Sequence, residues 1–185
     1  MKPDEAGSRP LFQQAASFAS RQHRHQVRRD GKTPYASHVF RVAMTVATVF
    51  GCTDELVLAA AILHDTIEDT TTDYEDIQSR FGTDVADMVA ALTKNMALPE
   101  DEREKEYDRR LAAADWRVRL IKLADTYDNF CDSLDTEERK SKLADHLEKC
   151  DRAVKLAKAD ARVHEPTRRA IKLTQELVKP YRGRG

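Results

Sequence analysis

The sequence places a histidine and an aspartate, His64-Asp65, directly after the apolar run Leu56–Leu63. An imidazole and a carboxylate at the inner end of a core helix cost free energy unless something pairs with them. A divalent cation is a natural partner. Adjacent helical side chains point about 100° apart, so the two can flank one ion. Glu68 and Asp69 follow four residues after His64 and Asp65 respectively. If the helix continues for one turn, each lies above its predecessor. Two ligand types and two further carboxylates then face one space.

Other residues of the same kinds stand at comparable places. His38 falls on or near the stripe of a helix containing Val42, and Asp125 ends the apolar run Ile121-Lys122-Leu123-Ala124. Two imidazole nitrogens with two carboxylate oxygens suit Mn²⁺, Fe²⁺, Co²⁺ or Zn²⁺. The set offers no thiol, which excludes a cysteine-type structural zinc site. Arg21, Arg24, Arg28, Arg29 and Lys32 crowd one stretch with only Asp30 opposing them. A guanidinium can clamp phosphate bidentately and stack on a purine face.

Helices must position these groups. From Leu11 the apolar spacing is helical and predicts a helix to about Arg29, followed by the breaker cluster Asp30–Pro34. A second helix starts near Pro34 and ends at Gly51. Thr53 or Asp54 caps a third, and Thr72 with Glu75 has capping-box spacing for the next. The charge-dense stretch 101–110 reads as a solvated helix face or a flap. Thr136 is positioned to cap a long helix through Ala157, and Pro166 to start the last one, stopped by Pro180. No alternating run marks a strand. The fold class expected is all-α, seven to nine helices in one domain over residues 11–180, with tails at 1–10 and 181–185.

Composition excludes several classes. Lys+Arg 31 against Asp+Glu 32 gives a net charge of -1, and the basic patch is short and poor in aromatics. That argues against nucleic acid as the partner. No apolar run approaches a membrane span, and the first ten residues are polar, so no membrane association is expected. Three widely spaced cysteines, Cys52, Cys131 and Cys150, read as reduced cytoplasmic thiols.

In combination, these strings resemble the RelA/SpoT-type alarmone hydrolases of the HD-domain superfamily, and specifically their small single-domain members. The matching strings are Ala19 through Gln26, Arg28 through Tyr35 with His38, and Ala59 through Asp69. Phe81-Gly82, Val89 to Thr93, and Lys122 through Asp125 with Asn129 continue the match in order. After Asn129 the likeness is faint. The resemblance implies one Mn²⁺ held by His38, His64, Asp65 and Asp125, with Glu68 and Asp69 serving the attacking water as base or positioner. It also implies that Arg28, Arg29, Tyr35, Asn129 and His23 surround a guanine nucleotide substrate. The activity implied is removal of pyrophosphate from the 3′ position of guanosine tetra- or pentaphosphate, giving GDP or GTP. Two other readings stay open: an HD phosphohydrolase acting on another nucleotide, and a non-catalytic alarmone sensor.

One residue departs from the family pattern. Asp128 stands directly before Asn129, where the family often has a hydrophobic residue. A carboxylate beside a polyanion is unhelpful unless it points away. Beyond it, Arg139, Lys140 and Lys142 are placed to supply phosphate contacts.

Overall fold

The computed structural model describes residues 9–134 and 142–182. Most of the two expected tails (residues 1–8 and 183–185), together with Thr136, Arg139 and Lys140, lies outside the described residues. Among the described residues the fold is all-α, with one π-helical turn, two 3-10 turns, nine α-helices of eight residues or more and one short α-helical turn. In chain order they are α1 (Leu11–Gln22), α2 (Ala36–Met44), α3 (Glu55–Leu63), α4 (Thr66–Asp69), α5 (Tyr74–Phe81), α6 (Thr83–Leu92), α7 (Glu100–Ala113), α8 (Trp116–Asp132), α9 (Leu143–Ala157) and α10 (Glu165–Val178). No described helix is long and apolar enough to cross a membrane.

Helix α3 is the centre of the core. After Glu55 it has no polar residue, and a helix apolar all round must be enclosed on every side. Val57 and Ala59 through Leu63 are buried, with α1, α2, α6 and α8 packed around them. Asp54 starts the helix by accepting from the Leu56 and Val57 amides. Helix α8 buries Val118, Leu120, Ile121, Leu123 and Ala124 and crosses α2, α3 and α6, while α9 packs along it. The end of α3, the middle of α8 and the start of α2 therefore meet, each carrying a polar group out of the apolar interior.

Several boundaries differ from the sequence expectations. Helix α1 stops at Gln22, not near Arg29. A tied loop replaces its last turns. The His23 ring pairs with Gln26, the Arg28 amide donates to Thr33 at 2.7 Å, and the Tyr35 amide donates to Gln26 at 2.9 Å. Val27 and Pro34 form an isolated bridge, and Asp30 accepts from the Lys32 and Thr33 amides. Gly31 turns the chain at φ 70°, where a side chain is strained. The basic stretch thus sits on a pinned loop between α1 and α2.

The capping box of α5 belongs to Asp73 and Asp76, one residue later than expected, and Thr72 bonds the Thr70 hydroxyl instead. The 101–110 stretch is part of α7, held down by buried Tyr107 and Leu111.

Candidate metal centre and active site

The helix carrying His64 does not run straight on. Helix α3 ends at Leu63, the Thr66 hydroxyl donates to the Leu63 carbonyl at 2.7 Å, and α4 then begins. The His64 ring lies with Nδ1 2.9 Å from the Ala61 carbonyl. A carbonyl only accepts, so Nδ1 carries the proton and Nε2 presents a lone pair. That Nε2 is buried and makes no hydrogen bond among the described residues. It lies 3.0 Å from Asp65 Oδ2 and 3.8 Å from Asp125 Oδ1.

His38, in the first turn of α2, faces the same point. Its Nε2 is 3.3 Å from Asp125 Oδ1 and 3.6 Å from Asp65 Oδ2. One ligand atom each from His38, His64 and Asp65 lies within 4.8 Å of the others. The donors fit a divalent ion: two imidazole nitrogens, one of them orphaned in the interior, converge with carboxylate oxygen. Asp125 adjoins the three, its Oδ1 accepting from Asn129 at 2.6 Å and its Oδ2 paired with Lys122 at 2.7 Å.

The charges explain why this cluster needs a cation. Burial alone lowers the His38 value, but hydrogen bonds to Asp125, Asp128 and Asp65 outweigh it and push it up to about 9. Burial works against the charged form of Asp65, yet the two histidines hold it well below the usual carboxylate range. Lys122 and the same histidines do this for Asp125. Without an ion, a second proton on each imidazole, at Nε2, balances these carboxylates, and an ion would take that proton's place.

The centre lies in the wall of an open pocket of about 850 Å³, shared with Arg28, Arg29, Tyr35, Glu68, Asp69, Lys94 and Asn129. A second open pocket adjoins it, lined by Arg29, Lys94, Lys122, His146, Lys149 and Arg152 among others.

Residues 15–150 match the HD-domain family model. The chain belongs to the HD-domain family. Among curated proteins it is 41% identical over 123 residues to the guanosine-3′,5′-bis(diphosphate) 3′-pyrophosphohydrolase MESH1 of Xenopus tropicalis, covering 66% of this chain and 69% of that one. It is 42% identical over 123 residues to the protein of the same name from Drosophila melanogaster, covering 65% and 68%. A solved structure of a metazoan ortholog of SpoT that hydrolyzes ppGpp superposes with a TM-score of 0.78 at 30% identity, covering 96% of this chain and 98% of that one.

Within this HD domain the expected site residues take different places. Glu68 lines the pocket, its Oε2 accepting from the Lys94 amide at 2.7 Å. Burial raises its carboxyl, helped by Asp65 and Asp69. Asp69 lines the same wall, and its main-chain carbonyl accepts from the Gln26 side chain at 2.5 Å. Tyr35 donates its hydroxyl to Asp65 Oδ2 at 2.6 Å. Burial and that carboxylate raise its hydroxyl, which stays a donor.

Asn129 links Asp125 to Arg28, accepting from the guanidinium at 2.8 Å. Arg29 is exposed at the mouth. Arg28 lines the pocket but is only 11% exposed, committed to Asp132 and Asn129. His23 lies outside the lining of either pocket. It is 1% exposed and stacks behind Tyr35 with ring centroids 4.8 Å apart, so it supports the pocket wall and does not reach the cavity. Lys142 is exposed and outside both cavities.

Sequence reasoning missed Lys94, Tyr107, His146, Lys149 and Arg152, and gave Lys122 no role of its own. His146, Lys149 and Arg152 recur every three residues on α9, and that spacing marks one face. Only the packing of α9 along α8 tells that this face looks into the site.

Proposed function

We propose that this chain is a guanosine-3′,5′-bis(diphosphate) 3′-pyrophosphohydrolase. Water attacks the phosphorus bonded to the 3′ oxygen, that P–O bond breaks, and the products are GDP or GTP and pyrophosphate. The observation that carries the reading is the orphaned His64 Nε2 beside His38 and Asp65 in the wall of a cation-rich pocket. The likeness to pyrophosphohydrolases over two thirds of the chain supports it.

His38, His64, Asp65 and Asp125 would hold one ion, with Mn²⁺ the ion proposed. Such an ion polarises a phosphate oxygen and acidifies water. Glu68 takes the proton of the attacking water; its raised carboxyl makes it a better acceptor than a solvated glutamate. Asp69 orients that water from the next position. Tyr35 keeps Asp65 oriented through its hydroxyl.

The substrate's two diphosphates meet Arg29, Lys94, Lys122 and Lys149. Burial, then Lys94, Lys122 and Arg29, lowers the Lys149 ammonium. A polyanion entering this group relieves that mutual repulsion, which selects a multiply phosphorylated nucleotide. Three cysteines spaced far apart in the sequence support a cytoplasmic setting. The test is product analysis after incubation with guanosine tetraphosphate and Mn²⁺. GDP and pyrophosphate in equal amounts are expected; orthophosphate, or an intact substrate, would refute the assignment.

A further inference from the structure

Asp128 does not face the nucleotide pocket. It is 5% exposed, and its Oδ2 lies 2.7 Å from His38 Nδ1. An ionised carboxylate only accepts, so this contact keeps a proton on Nδ1 and makes Nε2, which faces Asp65 and Asp125, the nitrogen that an ion would take. The carboxylate is itself clamped: Arg41 donates to Oδ1 at 2.6 Å and to Oδ2 at 2.8 Å. Arg41 also reaches Asp132 at 3.3 Å, and Asp132 accepts from Arg28. Asp125, Asp128, Asn129 and Asp132 are spaced by three, four and seven residues on α8, so they share one face. That face carries a chain of alternating charge from the histidine pair out to the loop after α1.

We infer that Asp128 is a positioning residue for the metal centre, fixing the tautomer and ring orientation of His38 so that its Nε2 is aimed at the ion. The inference rests on the proposed metal site. His64 obtains the same service from a backbone carbonyl, at Ala61. His38 obtains it from a charged group, which makes its free nitrogen a stronger donor. A hydrophobic residue at position 128 supplies none of this and leaves Arg41 without its bidentate partner.

The test is Mn²⁺ affinity, read from the electron paramagnetic resonance signal of free Mn²⁺, with the melting curve of the metal-free protein as a separate readout. Asp128→Ala is expected to weaken Mn²⁺ binding by about 10- to 100-fold. Asp128→Asn keeps the volume and one acceptor, guards against a variant that fails to fold, and is expected to weaken binding less than Asp128→Ala. Arg41→Gln removes the clamp but leaves Asp128 on His38. If Asp128 were only a partner for Arg41, all three variants would melt lower while their Mn²⁺ affinity stayed that of the original chain. Affinities within about twofold of the original in both Asp128 variants would overturn the inference. Failure of the site assignment itself reads differently: Asp65→Ala would then bind Mn²⁺ undiminished, and the inference would fall with it.

Discussion

Arg28, on the loop after α1, is joined to Asp132, at the end of α8, by hydrogen bonds of 2.9 and 3.2 Å across a largely buried gap. Its neighbour Arg29 sits exposed at the pocket mouth. Two adjacent arginines in one basic string therefore do different work. One fastens the loop to the helix carrying Asp125. The other is available to phosphate.

The two should separate on substitution. Arg28→Ala removes charge-assisted bonds worth about 1.5–3 kcal/mol, so its melting temperature should fall by about 3–12 °C for a chain of this size. Turnover should fall too, because the loop leads into His38. Arg29→Ala should leave melting nearly unchanged and raise KM by about 10-fold or more, an effect that shrinks as salt is added. Equal melting losses in both would contradict this division.

Asp65→Ala should lose metal and activity together. Asp65 touches both histidines and the Tyr35 hydroxyl, so nothing else in the described site replaces its oxygen. Elemental analysis of the purified variant checks this. Full metal occupancy would move the centre elsewhere.

Glu68→Gln keeps an oxygen for the Lys94 amide but cannot take a proton. Metal content and substrate affinity should be retained while kcat drops by about 10²- to 10⁴-fold. A large loss of metal affinity instead would make Glu68 a ligand.

The raised value of His38, about 9 in the metal-free chain, sets a pH dependence. The folded state holds a proton that the unfolded chain gives up near 6.5. Its contribution to stability is complete below pH 6.5 and is lost as pH rises toward 9. Melting of the chelator-treated protein should therefore fall across that window. Mn²⁺ affinity should rise across the same window, because the proton on His38 competes with the ion. Titrations at fixed ionic strength read both; a melting temperature flat from pH 6.5 to 9 would contradict the assignment.

The sequence alone determined that the chain is helical, that His64-Asp65 and Asp125 close apolar runs, and that His38 lies by the apolar stripe of another helix. A polar group closing a buried run leaves a mark in residue order, because solvation penalises it there whatever the fold. Periodicity likewise exposes an all-apolar helix such as α3. Tertiary structure decided the rest. Arg28 and Arg29 are alike in sequence, and only the approach of α8 makes one a strut. His23 lies in the same basic string as the exposed arginines, but the loop folds its ring beneath Tyr35. Asp128 reads as a misplaced carboxylate until α2 brings His38 and Arg41 against it. Lys149 lies far along the chain from the motifs, and α9 carries it to the pocket by packing on α8. These contacts span tens of residues, and their partners are fixed by how helices pack, which no local spacing records.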